Sequence, residues 1–446
     1  DWISMNGKRR LKMKQLTRLF IPICLETLFY MLSGMVDTLM LSAVGDYAVG
    51  AVGTANSYIG IFIIMFSIIS SGMVSVMTQN IGAGRPGVAY QARQLGLLFN
   101  AVAGVLMAVF LFSGAGAILR MVGIADALYE PALIYLKIVG GGCILNAVIP
   151  IFSSYLRAFG YTKQPLYATI VGNIANFVMN AVFLFVLHKG VAGVAAATVI
   201  SKILNLCIVL YFSHKLISAK NSTERIANKT VLGQIVKVGL PSACETALYN
   251  VAMMLVIRFL NQMDAEGLNV TARSYTATIS NFSYCVGAAL AQANAIMTGW
   301  HIGAGELEEC DRGTKRAAFV GVCVAVCMET AIVLGSGFIM PLFTDNPEMT
   351  ALVRKLLAID IVLEIGRVTN LVFGQALKTS GDAVFPAVIA AVFMFVFAVG
   401  GTWLFGISMG LMAVGAYIGL ASDECVRAVG MVWRWKTGKW RTKKLV

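Results

Sequence analysis

Charge is what this sequence has least of. Only 13% of its 446 residues are charged, against roughly 25% in ordinary soluble domains, and 58% are hydrophobic, with a mean hydropathy of +0.78. Water is therefore not the main solvent of the chain. Segments of about ten residues with polar alternation, the mark of a membrane barrel, are missing too. The three histidines, His188, His214 and His301, stand far apart near the ends of apolar runs and offer no metal constellation. Nine cysteines, Cys24, Cys143, Cys207, Cys244, Cys285, Cys310, Cys323, Cys327 and Cys425, form no Cys-x-x-Cys pair and no Cys/His cluster. They read as small core residues, not as ligands or disulfides.

What is present is a succession of apolar runs, each long enough for the ~20 helical residues that a ~30 Å hydrocarbon layer requires. The expected fold is all-α and integral to the membrane, with about twelve transmembrane helices. The spans are expected near 16–42, 52–80, 94–121, 130–156, 165–187, 191–213, 236–261, 269–298, 316–342, 350–377, 384–404 and 408–432. The first apolar stretch follows a basic segment, Lys8 to Lys14, yet it is too long for a signal-peptide core and has no small-residue cleavage site. It is read as the first span.

The net charge of +13 is a topology signal, and nucleic acid is not an expected partner. Basic residues gather at Lys8 to Lys14, Arg85 with Arg93, Arg157 with Lys163, Lys215 to Lys229, Arg312 to Arg316 and Arg434 to Lys444, while Asp46, Asp126 with Glu130, Asp264 with Glu266, and Asp345 with Glu348 occupy the alternate loops. That alternation places both termini in the cytoplasm of a multi-pass protein of the cell (inner) membrane. Anionic lipid headgroups are the expected partner of the basic loops, and the protein is expected to be a monomer.

The chain also repeats. Ile81-Gly82-Ala83-Gly84 recurs as Ile302-Gly303-Ala304-Gly305, and Leu156, Gly160 and Pro165 recur as Leu377, Gly381 and Pro386, all at an offset of 221. Pro22, Glu26-Thr27 and Tyr30 recur as Pro241, Glu245-Thr246 and Tyr249 at an offset of 219. Six spans separate the copies, so the halves are expected as two parallel six-helix lobes about a pseudo-twofold axis along the membrane normal. The organisation expected is a cytoplasmic segment 1–15, an amino lobe 16–214, a linker 215–235, a carboxy lobe 236–432 and a basic cytoplasmic tail 433–446. Two equal lobes flanking a cleft can rock and open it to either side in turn, which points to transport.

Ionisable groups inside hydrocarbon cost several kcal/mol unless paired or facing water, so they mark the places where chemistry is done. In the amino lobe these are Glu26, Asp37 and Lys202. Asp37 follows Glu26 by three helical turns on nearly the same face. A carboxylate there can exchange a proton, or it can bind sodium if neutral oxygens converge on it. Asn173, Asn176 and Asn180 in the fifth span and Thr198 in the sixth supply such oxygens, with Asn176 and Asn180 sharing a face. Asparagines in membrane helices also serve simply to bond across helices. Lys202 has two readings: it snorkels, or it neutralises Asp37. In the carboxy lobe, Asp360, Glu364 and Arg367 fall on one face of the tenth span, and Asp423, Glu424 and Arg427 in the twelfth, a pattern read as a buried charge network. Glu26, Tyr30, Glu245, Tyr249 and Asp360 are candidates for a substrate cleft.

The chain resembles the multidrug and toxic compound extrusion (MATE) family. The resemblance rests on Met35-Val36-Asp37-Thr38-Leu39-Met40, Gln79-Asn80-Ile81-Gly82-Ala83-Gly84, Leu156-Arg157-Ala158-Phe159-Gly160, Asn176-x-x-x-Asn180, Gly193 with Ala197-Thr198, and Gly239-Leu240-Pro241. It implies a V-shaped pair of six-helix lobes and an antiporter that exports organic compounds, often cations, against sodium or protons. No cofactor is implied, and the family's amino-lobe cation site falls on Asp37, Asn176, Asn180 and Thr198. The carboxy half departs from the best-known branch: Arg367 and Asn370 stand where many members have aspartate and glutamine, and Tyr249 stands where that branch carries its glutamate. No carboxy-lobe cation site is carried over. A lipid-linked precursor flippase is the alternative, and it would need a cleft lined by several arginines and lysines for pyrophosphate. An enzyme would need a nucleophile with its base, or a metal cluster, at one depth, and the sequence has neither. Of the two coupling ions, a proton needs one suitable site whereas sodium usually wants five or six oxygens, so the sequence favours the proton, with sodium at Asp37 as the other reading.

Overall fold

The computed structural model describes residues 13–121, 124–217, 224–264 and 267–446. Most of the basic segment Lys8 to Lys14, residues 218–223 of the expected linker and Glu266 of an acidic loop lie outside the described residues. Thirteen α-helices follow one another: α1 Met13–Ser42, α2 Asp46–Gly82, α3 Pro86–Met121, α4 Asp126–Gly141, α5 Cys143–Ala158, α6 Lys163–Ala181, α7 Gly190–Leu216, α8 Asn228–Met263, α9 Leu268–Gly303, α10 Leu307–Ile339, α11 Pro347–Ser380, α12 Val384–Phe393 and α13 Met412–Lys436. Helices α4 and α5 form one span bent by 41°, at the triplet Gly140-Gly141-Gly142. Counting that pair once, the expected twelve spans are all present as helices. The corresponding stretch of α11, Ile361-Val362-Leu363, has no glycine, and that helix runs on unbroken.

Each half turns its chain the same way. Gly84, Gly160, Gly305 and Gly381 have φ of 77°, 84°, 76° and 98°, the left-handed conformation that glycine adopts at a helix C-terminus without steric cost. After α2 the amide of Arg85 bonds back to the Asn80 carbonyl at 2.8 Å, and after α9 that of Glu306 bonds to His301 at 2.8 Å. After α5 the amide of Tyr161 reaches Leu156 at 2.9 Å, and after α11 that of Asp382 reaches Leu377 at 3.0 Å. The repeated glycine motifs are therefore helix stops. Both lobes also loosen one helix at matching places, with π-helical turns at Val182–Val186 after α6 and at Met394–Val399 and Thr402–Ser408 after α12.

The contacts divide the chain into two compact units. One is Ile21–Gly239; the other is Leu240–Val446, grouped with the opening of α1 up to Phe20. The division falls inside α8, not in the expected linker.

The amino unit has its core where α2, α3, α4 and α7 meet, around Ala51, Ala55, Leu111, Ala115, Leu136, Val139 and Ala195. Helix α3 exposes Leu98, Val102, Leu106 and Val109 at helical spacing while it buries Arg93, Gly96, Asn100 and Gly104. Apolar out and small or polar in is the arrangement lipid favours, because bulky apolar side chains gain nothing by leaving hydrocarbon. Small residues let backbones touch: a Cβ on Gly239 would lie 1.8 Å from the Ile68 carbonyl oxygen, and one on Gly72 would lie 2.0 Å from that of Ile235.

The carboxy unit is built around α11, which packs against α9, α10 and α13, with Val353, Leu356, Leu357 and Leu363 in its core. Among the described residues eight helices are apolar and long enough to cross a membrane, nine with the α4–α5 pair counted as one. The three that fall short, α9, α11 and α13, carry Arg273, then Asp360, Glu364 and Arg367, then Asp423, Glu424 and Arg427. The charges of α11 and α13 face one another, whereas Arg273 donates to Met253 Sδ on α8 at 3.8 Å. The tail folds back onto its own lobe: Trp440 stacks on Trp435 with ring centroids 4.2 Å apart, and the Trp435 indole donates to Asp311 at 2.7 Å. Arg434 bonds Asp382 at 2.7 Å, and Lys443 approaches the same carboxylate at 3.4 Å. Part of the positive charge read as facing headgroups is thus spent within the protein.

Candidate functional site

Asp37 lies in the last three turns of α1, part-buried against α6. Asn180 donates to Asp37 Oδ1 at 2.8 Å and, through the same nitrogen, to Asn176 Oδ1 at 3.1 Å. The i, i+4 spacing of the two asparagines puts both amides on one face a single turn apart, and both are buried. Asn180 Oδ1 is buried with no hydrogen-bond partner among the described residues. Thr198, on α7, donates to the Val194 carbonyl one turn back at 2.9 Å and lies beside the Tyr135 hydroxyl, which also meets Asn56. Asn173 is set apart from this group and donates to the Phe29 carbonyl of α1 at 2.9 Å.

Lys202 does not snorkel. Its ammonium donates to Asn146 Oδ1 on α5 at 2.8 Å, within electrostatic reach of Asp37 but not bonded to it. Asp37 thus keeps an amide neighbour in place of an ion pair. Asn146 and Tyr135 were not singled out in the sequence, and nothing in their local pattern marks them.

The cleft candidates divide into two kinds. Tyr30 and Tyr249 are exposed, at 72% and 41%. Glu26 is bonded to Arg157 on α5 at 2.5 Å, and Glu245 to Lys378 on α11 at 2.7 Å, so neither stands as an unpaired acid facing a cavity. Asp360 is buried at 2% exposure.

The carboxy-lobe charges meet as a chain across α11 and α13. Arg367 bonds Glu364 and reaches Glu424 at 3.8 Å, and Arg427 bonds Asp423 at 2.7 Å and Glu424 at 2.8 Å. Asn370 donates to Glu424 at 3.1 Å. Glu329 joins the cluster from α10 with no exposure, and one carboxylate oxygen from each of Glu329, Asp360 and Glu364 lies within 4.8 Å of the others. The sequence reading passed over Glu329. Its signal was nonetheless plain, since it is the single charged residue between Arg316 and Asp345.

A profile of the MatE family matches residues 22–182 and 241–404, one copy in each half. The chain belongs to the MatE family. The two matched segments begin 219 residues apart, 22 to 241, the offset of the Pro22/Pro241 repeat. Among curated relatives, the chain is 32% identical to the "Uncharacterized transporter YisQ" of Bacillus subtilis (strain 168), over 95% of this chain and 94% of that protein. It is 20% identical to the "Probable multidrug resistance protein NorM" of Thermotoga maritima, over 97% and 94% of the two chains. A solved structure described as the outward-facing conformation of a multidrug resistance MATE family transporter of the MOP superfamily aligns with a TM-score of 0.83 at 21% identity, covering 96% of each chain. That likeness shows a shared fold. Members of the MatE family are transporters, so this chain is a multi-pass membrane transporter of small molecules and not an enzyme.

Proposed function

We propose that this MatE-family member exports small cationic or amphipathic organic compounds by alternating access, in antiport against a cation that binds at Asp37. The observation that carries the reading is the state of Asp37. It is an acid in a membrane helix with no cation bonded to it, held by Asn180 while Lys202 is drawn off to Asn146. An acid so placed changes its charge when an ion binds, and helices that pack against it respond to that charge.

The ion at this site is the proton. Of the amide oxygens grouped with Asp37, Asn176 Oδ1 accepts from Asn180 and Asn180 Oδ1 is without a partner among the described residues, fewer than the five or six that sodium usually wants. A proton needs only the carboxylate. The exposed Tyr30 and Tyr249 suit aromatic or cationic substrates through their ring faces. The basic groups Arg157, Lys378, Arg367 and Arg427 are each bonded to an acid, which weighs against an anionic lipid-linked cargo. Residence in the bacterial inner membrane with both termini inside, and anionic lipid at the loop bases that remain free, belong to the same reading.

The test is gradient-driven efflux of organic cations from proteoliposomes. Asp37→Asn keeps the shape of the side chain and removes its charge, so it should insert and fold normally yet lose gradient-driven transport. Wild-type rates in a correctly inserted Asp37→Asn protein would refute the assignment.

A further inference from the structure

The amino unit buries a cation that no acid meets. Arg93, on α3, is 8% exposed; its Nε is sealed with no hydrogen-bond partner, and among the described residues no carboxylate pairs with it. Three rings enclose the guanidinium: the centroids of Tyr90, Tyr155 and Phe152 lie 4.6, 5.2 and 5.4 Å from its central carbon. Ring faces return only part of the hydration that a buried cation loses. The Tyr155 hydroxyl, in the same cage, is also buried without a partner. Glu26, the acid that reaches α5, is taken by Arg157, and residues 218–223, which lie outside the described residues, include no aspartate or glutamate.

The internal repeat shows how the other lobe fills the same place. At the offset of 221, Tyr90, Arg93, Phe152 and Tyr155 correspond to Asp311, Thr314, Phe373 and Ala376. There the chain's own tail closes the position, with Trp435 against the Phe373 ring at 5.9 Å and donating to Asp311 at 2.7 Å. Thr314 has neutral neighbours, the Thr298 hydroxyl at 3.4 Å and the Asn294 amide at 3.5 Å. In the amino unit the polarity is inverted: a cation stands where the carboxy unit has a hydroxyl, and a tyrosine where it has an acid. An anion from outside the chain completes it. Helix α3 indicates the source. Tyr90, Gln94, Leu98, Val102 and Leu106 step by four along one face, Gln94 donating to the Tyr90 hydroxyl at 3.3 Å at the polar end and the three aliphatic residues exposed. From Leu98 to Val109 this ridge runs about 16 Å, close to the depth of one leaflet of a ~30 Å hydrocarbon layer. A lipid chain lying on it brings its phosphate to the level of the Tyr90 ring, where Arg93 is stacked.

We propose that Arg93, caged by Tyr90, Phe152 and Tyr155, binds one phosphate group, supplied by the phosphodiester of an anionic phospholipid whose chain lies along α3. The guanidinium fork matches two phosphate oxygens at once, and the single negative charge of a phosphodiester balances the single unpaired cation. The proposal deepens the reading that anionic lipid meets the free bases and rests on it for the source of the phosphate. It does not rest on ion coupling at Asp37.

The test is thermal melting of the full-length purified protein in detergent at fixed pH and ionic strength, with added phosphatidylglycerol, with diacylglycerol of the same chains, or with sodium phosphate in place of chloride. Phosphatidylglycerol should raise the melting temperature saturably and diacylglycerol should not. Arg93→Gln should lose that response, while Lys436→Gln, at an exposed cation of the carboxy unit, should keep it. Arg93→Lys retains the charge without the fork and should shift the response to higher lipid concentration; it carries the test should Arg93→Gln fail to fold. An equal rise with sodium phosphate, also lost in Arg93→Gln, upholds the phosphate site and makes its source soluble. The proposal is overturned if neither phosphatidylglycerol nor phosphate stabilises the wild type, if the response survives Arg93→Gln, or if it is unshifted in Arg93→Lys. Survival in Arg93→Gln would leave lipid at the exposed loop bases, and the proposed function, standing.

Discussion

Glu245 on α8 is bonded to Lys378 on α11 at 2.7 Å, and its repeat-mate Glu26 on α1 is bonded to Arg157 on α5 at 2.5 Å. The acids differ in position by 219 and the bases by 221, the two offsets of the internal repeat. Each lobe thus clamps its first span to its fourth with one ion pair. The side chains are only 13% to 20% exposed, so both charges need the partner to offset lost hydration.

Removing one partner strands the other in a poorly hydrated place, at a cost of up to ~3 kcal/mol. Lys378→Met should therefore lower the melting temperature clearly, whereas Glu245→Gln combined with Lys378→Met should recover most of the loss. Melting of both single variants and the double variant, read as a cycle, checks this. Additive losses would mean that the pair contributes nothing as a pair.

Arg367→Ala should destabilise more than Glu245→Gln. The arginine bonds Glu364, whose side chain has no exposure, and also approaches Glu424, so its loss leaves buried acids uncompensated at ~3–5 kcal/mol. Glu245→Gln leaves Lys378 with some access to water. Melting temperatures in one detergent decide it. The reverse order would mean that Arg367 serves an open anion-recognising surface and not the lobe's interior.

The twelve spans, the repeat and the helix stops were legible because each is written locally: apolar length in the spans, glycine at the left-handed caps. Asp37 and the Asn176/Asn180 face were legible for the same reason, a charge in an apolar run and an i, i+4 spacing. The partners were not. Glu26 finds Arg157 across 131 residues, and which bases the acids meet depends on how helices align in depth, which periodicity leaves open. Glu329 shows the other failure. Its isolation between Arg316 and Asp345 marked it by the rule applied to Asp37, but its meaning came only when α10 was set against α9 and α11. Composition showed the tail's charge but not its contacts, and Arg434 and Lys443 reach Asp382.

The repeated glycines allow a graded test. A Cβ on Gly84 meets nothing within 4 Å, so Gly84→Ala costs only the left-handed backbone, about 1–2 kcal/mol. A Cβ on Gly381 would lie 2.3 Å from the Lys443 carbonyl oxygen, adding a clash with the folded-back tail. Gly381→Ala should melt well below Gly84→Ala. Deleting the residues after Gly438 should narrow that gap, because the clashing carbonyl goes with them. An unchanged gap would show that the tail does not sit on Gly381.

The last prediction concerns the driving ion. If the Asp37 site carries a proton, efflux should follow an imposed pH gradient at constant sodium, and it should collapse when the pH gradient is dissipated even with sodium held high on the side that drives export. Asn180→Leu removes the amide that bonds Asp37 Oδ1 while keeping the carboxylate. Proton-driven efflux should then weaken without vanishing, since a proton needs no second oxygen, whereas a sodium ion that relied on the amide oxygen would be lost with it. Efflux is to be measured in both gradients for the wild type and for Asn180→Leu. Sodium-driven efflux that persists without a pH gradient and disappears in Asn180→Leu would make sodium the ion at Asp37, with the site itself unchanged.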